Sequence, residues 1–370
     1  VAVVGAGVTG LSVAFHLAER GAHVVVLERT GVAAEASGVQ PGGVRQQWST
    51  RVNCVLARES VAFYRDVVAR LEPLTRPRLE ACGYVFLAHS EERLRELAAD
   101  VALQREAGVP SELLGPAELR EVVPGIEAGE VVGAAYCAED GYFDQPQAVV
   151  EAFAAAAERR GAGVEHALVS ALARDGAGWR LELRDRAPLH ADAVVVAAGY
   201  GTPALLATLG IPVPIEKQPR YLLLSDPIRE RLLEPLVVSA EWRFAAKHLA
   251  SGRVLASDLG ATGNPETSAH AWRAHVRERG RRLLPILEYV TYPVVAEGFY
   301  DVTPDHQPLL GPVPGHDGLW VAAGFSGHGF MLAPAIGRIV ADGLLDGRPD
   351  PALETFAPDR FARGPHDAAP

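Results

Sequence analysis

The opening stretch VAVVGAGVTGLSVAFHLAERGAHVVVLER, Val1 to Arg29, constrains the fold more than any other part of the chain. Four apolar residues, three of them valine, run into Gly5-x-Gly7-x-x-Gly10, a helical pattern follows to Gly21, and a second apolar run closes on Glu28. This order of strand, glycine turn, helix and strand is that of a dinucleotide-binding βαβ unit. The glycines make the turn, admit a pyrophosphate to the helix N-terminus and let helix pack on strand, while the acidic residue takes a ribose hydroxyl. Gly5, Gly7, Gly10 and Glu28, with Arg29 beside them, are therefore candidate cofactor contacts. The fold class that follows is α/β, with a Rossmann-like domain at its head.

A chain of 370 residues predicts about two domains. Charged residues make up 22% and the net charge is −11, with no basic run, which argues against nucleic acid or an anionic membrane surface as the main partner. Lys217 and Lys247 are the only lysines amid abundant Arg, Ala and Gly, a bias that fits a high-GC bacterial genome. Cys54, Cys82 and Cys137 fit neither a redox pair, nor a metal set, nor a disulfide framework, so a reducing cytoplasm is expected and no metal site is assigned. No apolar run approaches the roughly 18 residues that span a bilayer. Val1 lies inside a strand, so residues upstream are expected.

Glycine density rises twice more. EASGVQPGGVRQQW, residues 35 to 48, exceeds what a simple connection needs, and GLWVAAGFSGHGFMLAPAIGRIV, Gly318 to Val340, joins a strand to a helix expected from about Ala333. Small residues there permit backbone angles and close approaches that side chains forbid, so a ligand is expected against that backbone. Between these stretches the pattern changes. Residues 77–144 and 217–297, the latter with strands near Tyr221 to Leu224 and Arg253 to Ala256, read as two excursions that together build a second, α+β domain on a mixed or antiparallel sheet. The nucleotide domain is then discontinuous, at 1–76, 145–216 and 298–363, with a polar tail at 364–370.

Gly5-x-Gly7-x-x-Gly10 with Glu28, then ASGVQPGGVRQQ, VVVAAG, YDVTPDHQPLLG and GLWVAAGFSGHGFMLAPAIGR resemble, in this order and over nearly the whole chain, the FAD-dependent D-amino acid oxidase superfamily. The branch is that of the sarcosine oxidases and the beta subunits of heterotetrameric sarcosine oxidase and proline dehydrogenase. The resemblance implies FAD and removal of a hydride equivalent from a carbon next to an amine nitrogen, giving an imine that water hydrolyses. It implies that Ser37, Gly42, Gly43 and Arg45 line the flavin, that Val169 packs near the adenine end, and that Ala198 and Gly199 approach the nucleotide. Ser326, Gly327, His328, Gly329 and Met331 are implied at the isoalloxazine ring.

Departures from the family pattern carry their own expectations. The cysteine that attaches flavin in monomeric sarcosine oxidase falls here at Gly298, so FAD is expected to be non-covalent. The two cations that hold the substrate carboxylate there fall at Trp48 and Met331, so an unpaired carboxylate would meet apolar groups and a bulkier amine with an apolar part is the expected substrate. Arg220 or Arg243 turning inward would restore an anchor. The oxygen-activating lysine falls at Val254 by ungapped alignment, with Lys247 the only lysine nearby. Trp48, Tyr221, Trp242, Phe244 and Tyr300 are candidate pocket walls. The expected activity is oxidation of the CH–NH bond of an amino acid or small secondary amine, with electrons passing to oxygen or to an acceptor protein. The alternatives are a dehydrogenase subunit and a flavoprotein assembly or binding subunit, in a homo-oligomer or a larger complex.

Overall fold

The computed structural model describes residues 1–362. The 364–370 tail expected from sequence lies outside them. At the head of the chain the strands Ala2–Val4, Val25–Glu28, Gly163–His166, Val194–Val196 and Leu319–Ala323 form a parallel sheet, with Ala2–Val4 between Val194–Val196 and Val25–Glu28 and the antiparallel strand Leu309–Pro312 at one edge. Alternate residues divide between two cores. Val3, Val26, Val195 and Ala322 face the helices Val8–Glu19, Pro146–Arg159 and Gly329–Asp346, whereas Ala2, Val4, Val194 and Val321 face the small sheet of Val169–Asp175, Gly178–Leu183 and Leu189–Ala191. Both faces are covered, so the strands read as continuous apolar runs rather than as alternation.

The second unit is an eight-stranded sheet. In spatial order its strands are Val294–Val302, Glu216–Pro227, Arg253–Asp258, Phe244–His248, Leu236–Ser239, Tyr84–Ala88, Gly133–Cys137 and Glu112–Leu114. All neighbours are antiparallel except Leu236–Ser239 with Tyr84–Ala88. The strands come from both excursions, and the last continues through Val302, past the boundary at 297 expected from sequence. Helix Pro265–Leu283 covers one face of this sheet through Trp272, Val276 and Leu283.

The C-terminal helix begins at Gly329, one turn before the expected Ala333, although Pro334 lies inside it. A proline there cannot donate to the carbonyl four residues back. That carbonyl, of Phe330, instead accepts from the buried Tyr64 hydroxyl. The same helix crosses Val8–Glu19 closely enough that Ser12 Oγ donates to the Ala333 carbonyl at 2.7 Å. A Cβ on Gly337 would lie 2.4 Å from Ser12 Oγ and 2.7 Å from His16 Cδ2. No helix among the described residues is long and apolar enough to cross a membrane.

Gly337→Ala is therefore expected to force the two helices apart and to cost about 1–3 kcal/mol, as overpacking does. Gly129→Ala, where a Cβ meets nothing within 4 Å, is the control. Chemical denaturation of the two variants measures the difference; equal stabilities contradict the close crossing.

Candidate active site

The helices Val8–Glu19 and Gly329–Asp346 both begin at one cleft of about 1440 Å³, open mouth included. An α-helix leaves its first N–H groups without intrahelical acceptors. At the first helix Val8 N–H donates to Ser37 Oγ at 3.0 Å, while Gly7 and Thr9 N–H find no acceptor among the described residues. At the second, Gly329, Phe330 and Met331 N–H likewise find none, and all three residues line the cleft. Two sets of free donors and two positive dipole ends thus face the same space, an arrangement suited to an anionic ligand.

The backbone comes close because side chains are absent. A Cβ on Gly5, whose φ is +109°, would stand 2.4 Å from the Ala197 carbonyl oxygen. At one end of the cleft, Glu28 accepts from Ala6 N–H at 2.8 Å and from Thr30 N–H at 2.8 Å. Burial raises its pKa, but these hydrogen bonds outweigh it and hold the carboxyl below its ordinary value. Val169, Ala198 and Gly199 complete that end. A clasp that sequence reading missed borders the mouth: Arg29 pairs with Glu35 at 2.8 Å, the Tyr200 hydroxyl bonds the same carboxylate, and Lys217 Nζ lies 3.8 Å from the Phe299 ring centroid. Arg29 and Lys217 stand out in sequence but not as partners, because the clasp joins four separate segments.

At the other end, Gly43, Tyr300, Gly327, Gly329 and Met331 line the cleft. Asp301, also missed, fixes the turn beneath them: its Oδ2 accepts from Gly324 N–H at 2.7 Å and its carbonyl from Ser326 N–H at 3.0 Å. Several expected contacts stand behind the wall. Gly10 is needed for the close packing of helix on turn, since its Cβ would meet the Gly5 carbonyl oxygen at 2.0 Å; Gly42, at φ +72°, abuts the Phe143 carbonyl. The Ser326 hydroxyl accepts from Thr303 N–H at 3.3 Å, facing away from the cleft. His328 packs edge-on against Trp48 at 4.6 Å, and burial, with Arg45 and His306 nearby, lowers its pKa to about 3, so the imidazole is neutral. Arg45 lies 4.0 Å from the Trp48 ring centroid and donates to the Gln47 carbonyl. Trp48 and Arg45 therefore buttress the wall rather than line it.

Strand parity corrects two expected pocket walls, Tyr221 and Phe244, and the turn before Phe244–His248 carries a third, Trp242, away from the cleft. Tyr221 and Phe244 belong to the core beneath helix Pro265–Leu283, with Tyr221 stacked on Trp272 at 4.1 Å, and Trp242 stacks on His89 at 3.9 Å. Val254 is buried in that same core. The opposite face of the sheet meets the first domain. From it Lys247 reaches across to donate to the Pro41 carbonyl, Gly298 stands 3.5 Å from Val39 measured at its would-be Cβ, and the Tyr84 hydroxyl lies 3.4 Å from that of Gly43. Lys247 thus braces the glycine loop and does not line the cleft. Arg220 is the inward arginine; Arg243 is exposed and lies 3.7 Å from Asp258.

Residues 1–343 match the family described as FAD dependent oxidoreductase, DAO, and the chain belongs to that family. It is 30% identical to FAD-dependent oxidoreductase domain-containing protein 1 of Bos taurus, over 94% of this chain and 81% of that protein. It is 30% identical to a glycine oxidase of Pseudomonas aeruginosa, over 94% and 95%. The solved L-proline dehydrogenase of P. horikoshii superposes with a TM-score of 0.90 at 26% identity, covering 98% of this chain and 97% of that one. The protein is an FAD-dependent oxidoreductase, and the free helix donors, the glycine approaches and Glu28 fit the cofactor.

Burial lowers the Lys247 pKa to about 7, with Cys82 and Asp144 opposing. Between that value and the ordinary one the unfolded chain holds a proton that the folded chain lacks, so stability rises with pH from about 7 to about 10. In Lys247→Met this rise is absent. Denaturation curves at pH 6, 8 and 10 for the two proteins check it; parallel pH profiles contradict it.

Proposed function

We propose that the enzyme oxidises the CH–NH bond of an amino acid or small secondary amine to an imine, which water hydrolyses. The observation that carries the reading is the meeting of the helix N-terminus at Gly329 with the Tyr300 and Met331 side chains at the deep end of the cleft. Bound FAD supplies the acceptor for the two electrons removed from that bond.

On this reading Glu28 would hold the adenosine ribose, and Gly7 and Thr9 N–H would meet the pyrophosphate. The donors of Gly329 to Met331 would favour negative charge on the bound ring. The chain's part in the chemistry is orientation and exclusion of water. Tyr300 is packed so tightly against Gly327 that a Cβ there would lie 2.2 Å from its ring, which fixes the ring's position. Burial raises the Tyr300 pKa, with Arg220 opposing, so the hydroxyl stays protonated and can donate to a substrate acceptor. Among the described residues no lysine or histidine lines the cleft, so the amine is expected to react as its free base. FAD is held without a covalent bond, since Gly298 offers no nucleophile where the sarcosine oxidase cysteine stands.

A panel of amino acids and amines mixed anaerobically with the yellow protein tests the reading: at least one secondary amine or amino acid bleaches the flavin. Failure of every member overturns it in favour of an assembly or binding subunit. Readmission of air then separates oxygen from a protein acceptor. Acid precipitation is expected to leave the flavin in the supernatant, and colour retained in the pellet contradicts non-covalent binding. Glu28→Ala removes the acceptor for two backbone N–H groups and is expected to weaken FAD binding about 10- to 100-fold in fluorescence titration of the apoprotein.

A further inference from the structure

We propose that Glu35 is the catch of a latch across the mouth of the cofactor cleft, and that its release limits the rate at which FAD enters and leaves. The latch concerns passage of the cofactor alone, so it goes beyond the amine reaction and stands or falls apart from it. Two walls meet at the mouth. One is the loop after Val25–Glu28, which contributes Gly31, Ala34, Glu35 and Ser37, and the other carries Tyr200 and Phe299. The loop is pinned on both sides of Glu35. Ala33 N–H donates to the Ala6 carbonyl at 3.1 Å, and Ser37 Oγ accepts from Val8 N–H at 3.0 Å. Between these pins Ala34, Glu35 and Ala36 are exposed, and only Glu35 has a side chain long enough to reach across.

The Glu35 carboxylate accepts from the Tyr200 hydroxyl on the opposite wall and from Arg29 Nη2 on its own side at 2.8 Å. The second domain holds Tyr200 in turn. Its ring meets that of Phe299 edge-on at 6.2 Å, and the Lys217 ammonium lies 4.3 Å from the Tyr200 centroid and 3.8 Å from that of Phe299. Lys217 and Phe299 lie on the paired strands Glu216–Pro227 and Val294–Val302, so the latch closes a loop of one domain onto the sheet of the other. Burial, with the bond to Glu35, pushes the Tyr200 hydroxyl up to about 12, so it stays a donor across the ordinary pH range. The magnitudes make this a latch rather than a bolt. The Arg29 and Glu35 side chains are each 43% exposed, and an exposed ion pair contributes little because water and salt compete for it. Its members satisfy one another, so opening costs the same for FAD entering as for FAD leaving. Loosening such a gate changes both rates by one factor and leaves the affinity alone.

The test uses the FAD-loaded protein. Exchange of bound FAD against excess radiolabelled FAD gives the release rate, and free-flavin fluorescence over a dilution series gives Kd. In Glu35→Ala and in Tyr200→Phe, which keeps the ring and drops the hydroxyl, release is expected to be about 5- to 30-fold faster, with Kd within about threefold of wild type. The double variant is expected to exceed the larger single effect by less than about twofold, because both changes remove one contact. Glu130→Gln, which breaks an exposed pair with Arg282 outside the cleft, is expected to leave release unchanged. If Glu35→Ala does not retain flavin, Glu35→Gln takes its place with a smaller gain in rate. Unchanged release in either latch variant, equal acceleration in Glu130→Gln, or additive single effects each overturns the proposal. So does a Kd weakened by the full factor of the faster release, which would make Glu35 a cofactor contact. Neither readout involves an amine. Absence of bleaching by amines therefore leaves the latch standing, and failure of the latch leaves the amine reaction standing.

Discussion

The approach of Gly5 to the Ala197 carbonyl is the contact on which the Glu28 end of the cleft depends. It is closer than any Cβ permits, and it brings the turn after the first strand onto the end of Val194–Val196. Gly10 in turn sits on the Gly5 carbonyl, which sets the helix Val8–Glu19 tight against the turn and aims its free N–H groups at the cleft. The Ser12 and Gly337 crossing then fixes the second helix relative to the first, so both positive ends converge. One chain of small residues thus sets the position of two dipoles.

The second domain acts on this arrangement from above. Lys247 holds the Pro41 carbonyl, Val39 packs on Gly298, and Tyr300 packs on Gly327, so the glycine loop at 38–43 and the turn at 324–329 are both gripped by one face of the eight-stranded sheet. Burying an amine for this purpose is costly, and the depressed Lys247 pKa records that cost. The brace makes the geometry of the deep end a property of both domains.

What was legible in the sequence follows a physical division. Contacts made by backbone were readable, because glycine is needed wherever φ is positive or a Cβ would collide: Gly5, Gly7, Gly43, Gly327 and Gly329 all line the cleft. Side-chain direction was not. A strand sends neighbours to opposite faces, so choosing Tyr221 rather than Arg220 selects the wrong face, and the register that decides it depends on a partner some eighty positions away at Gly298. The same slip explains Val254 against Leu255, the residue that pairs with Lys247. The helix start at Gly329 was hidden by Pro334, whose missing donor is made good by Tyr64 from a distant helix. His328 and Ser326 belong to a recognisable loop but turn behind it, a detail set by Trp48 and Thr303.

In the proposed reaction a carbon–hydrogen bond next to an amine nitrogen is broken at the end of the cleft lined by Tyr300, Met331 and the N-terminus of the Gly329–Asp346 helix. The most direct measurement is the rate of flavin bleaching in anaerobic stopped flow, with the best bleaching amine compared with the same compound deuterated at the carbon beside nitrogen. The deuterated substrate is expected to bleach the flavin more slowly under saturating conditions. Bleaching whose rate and extent are indifferent to that deuterium, but which slows when a different position is labelled, would contradict it.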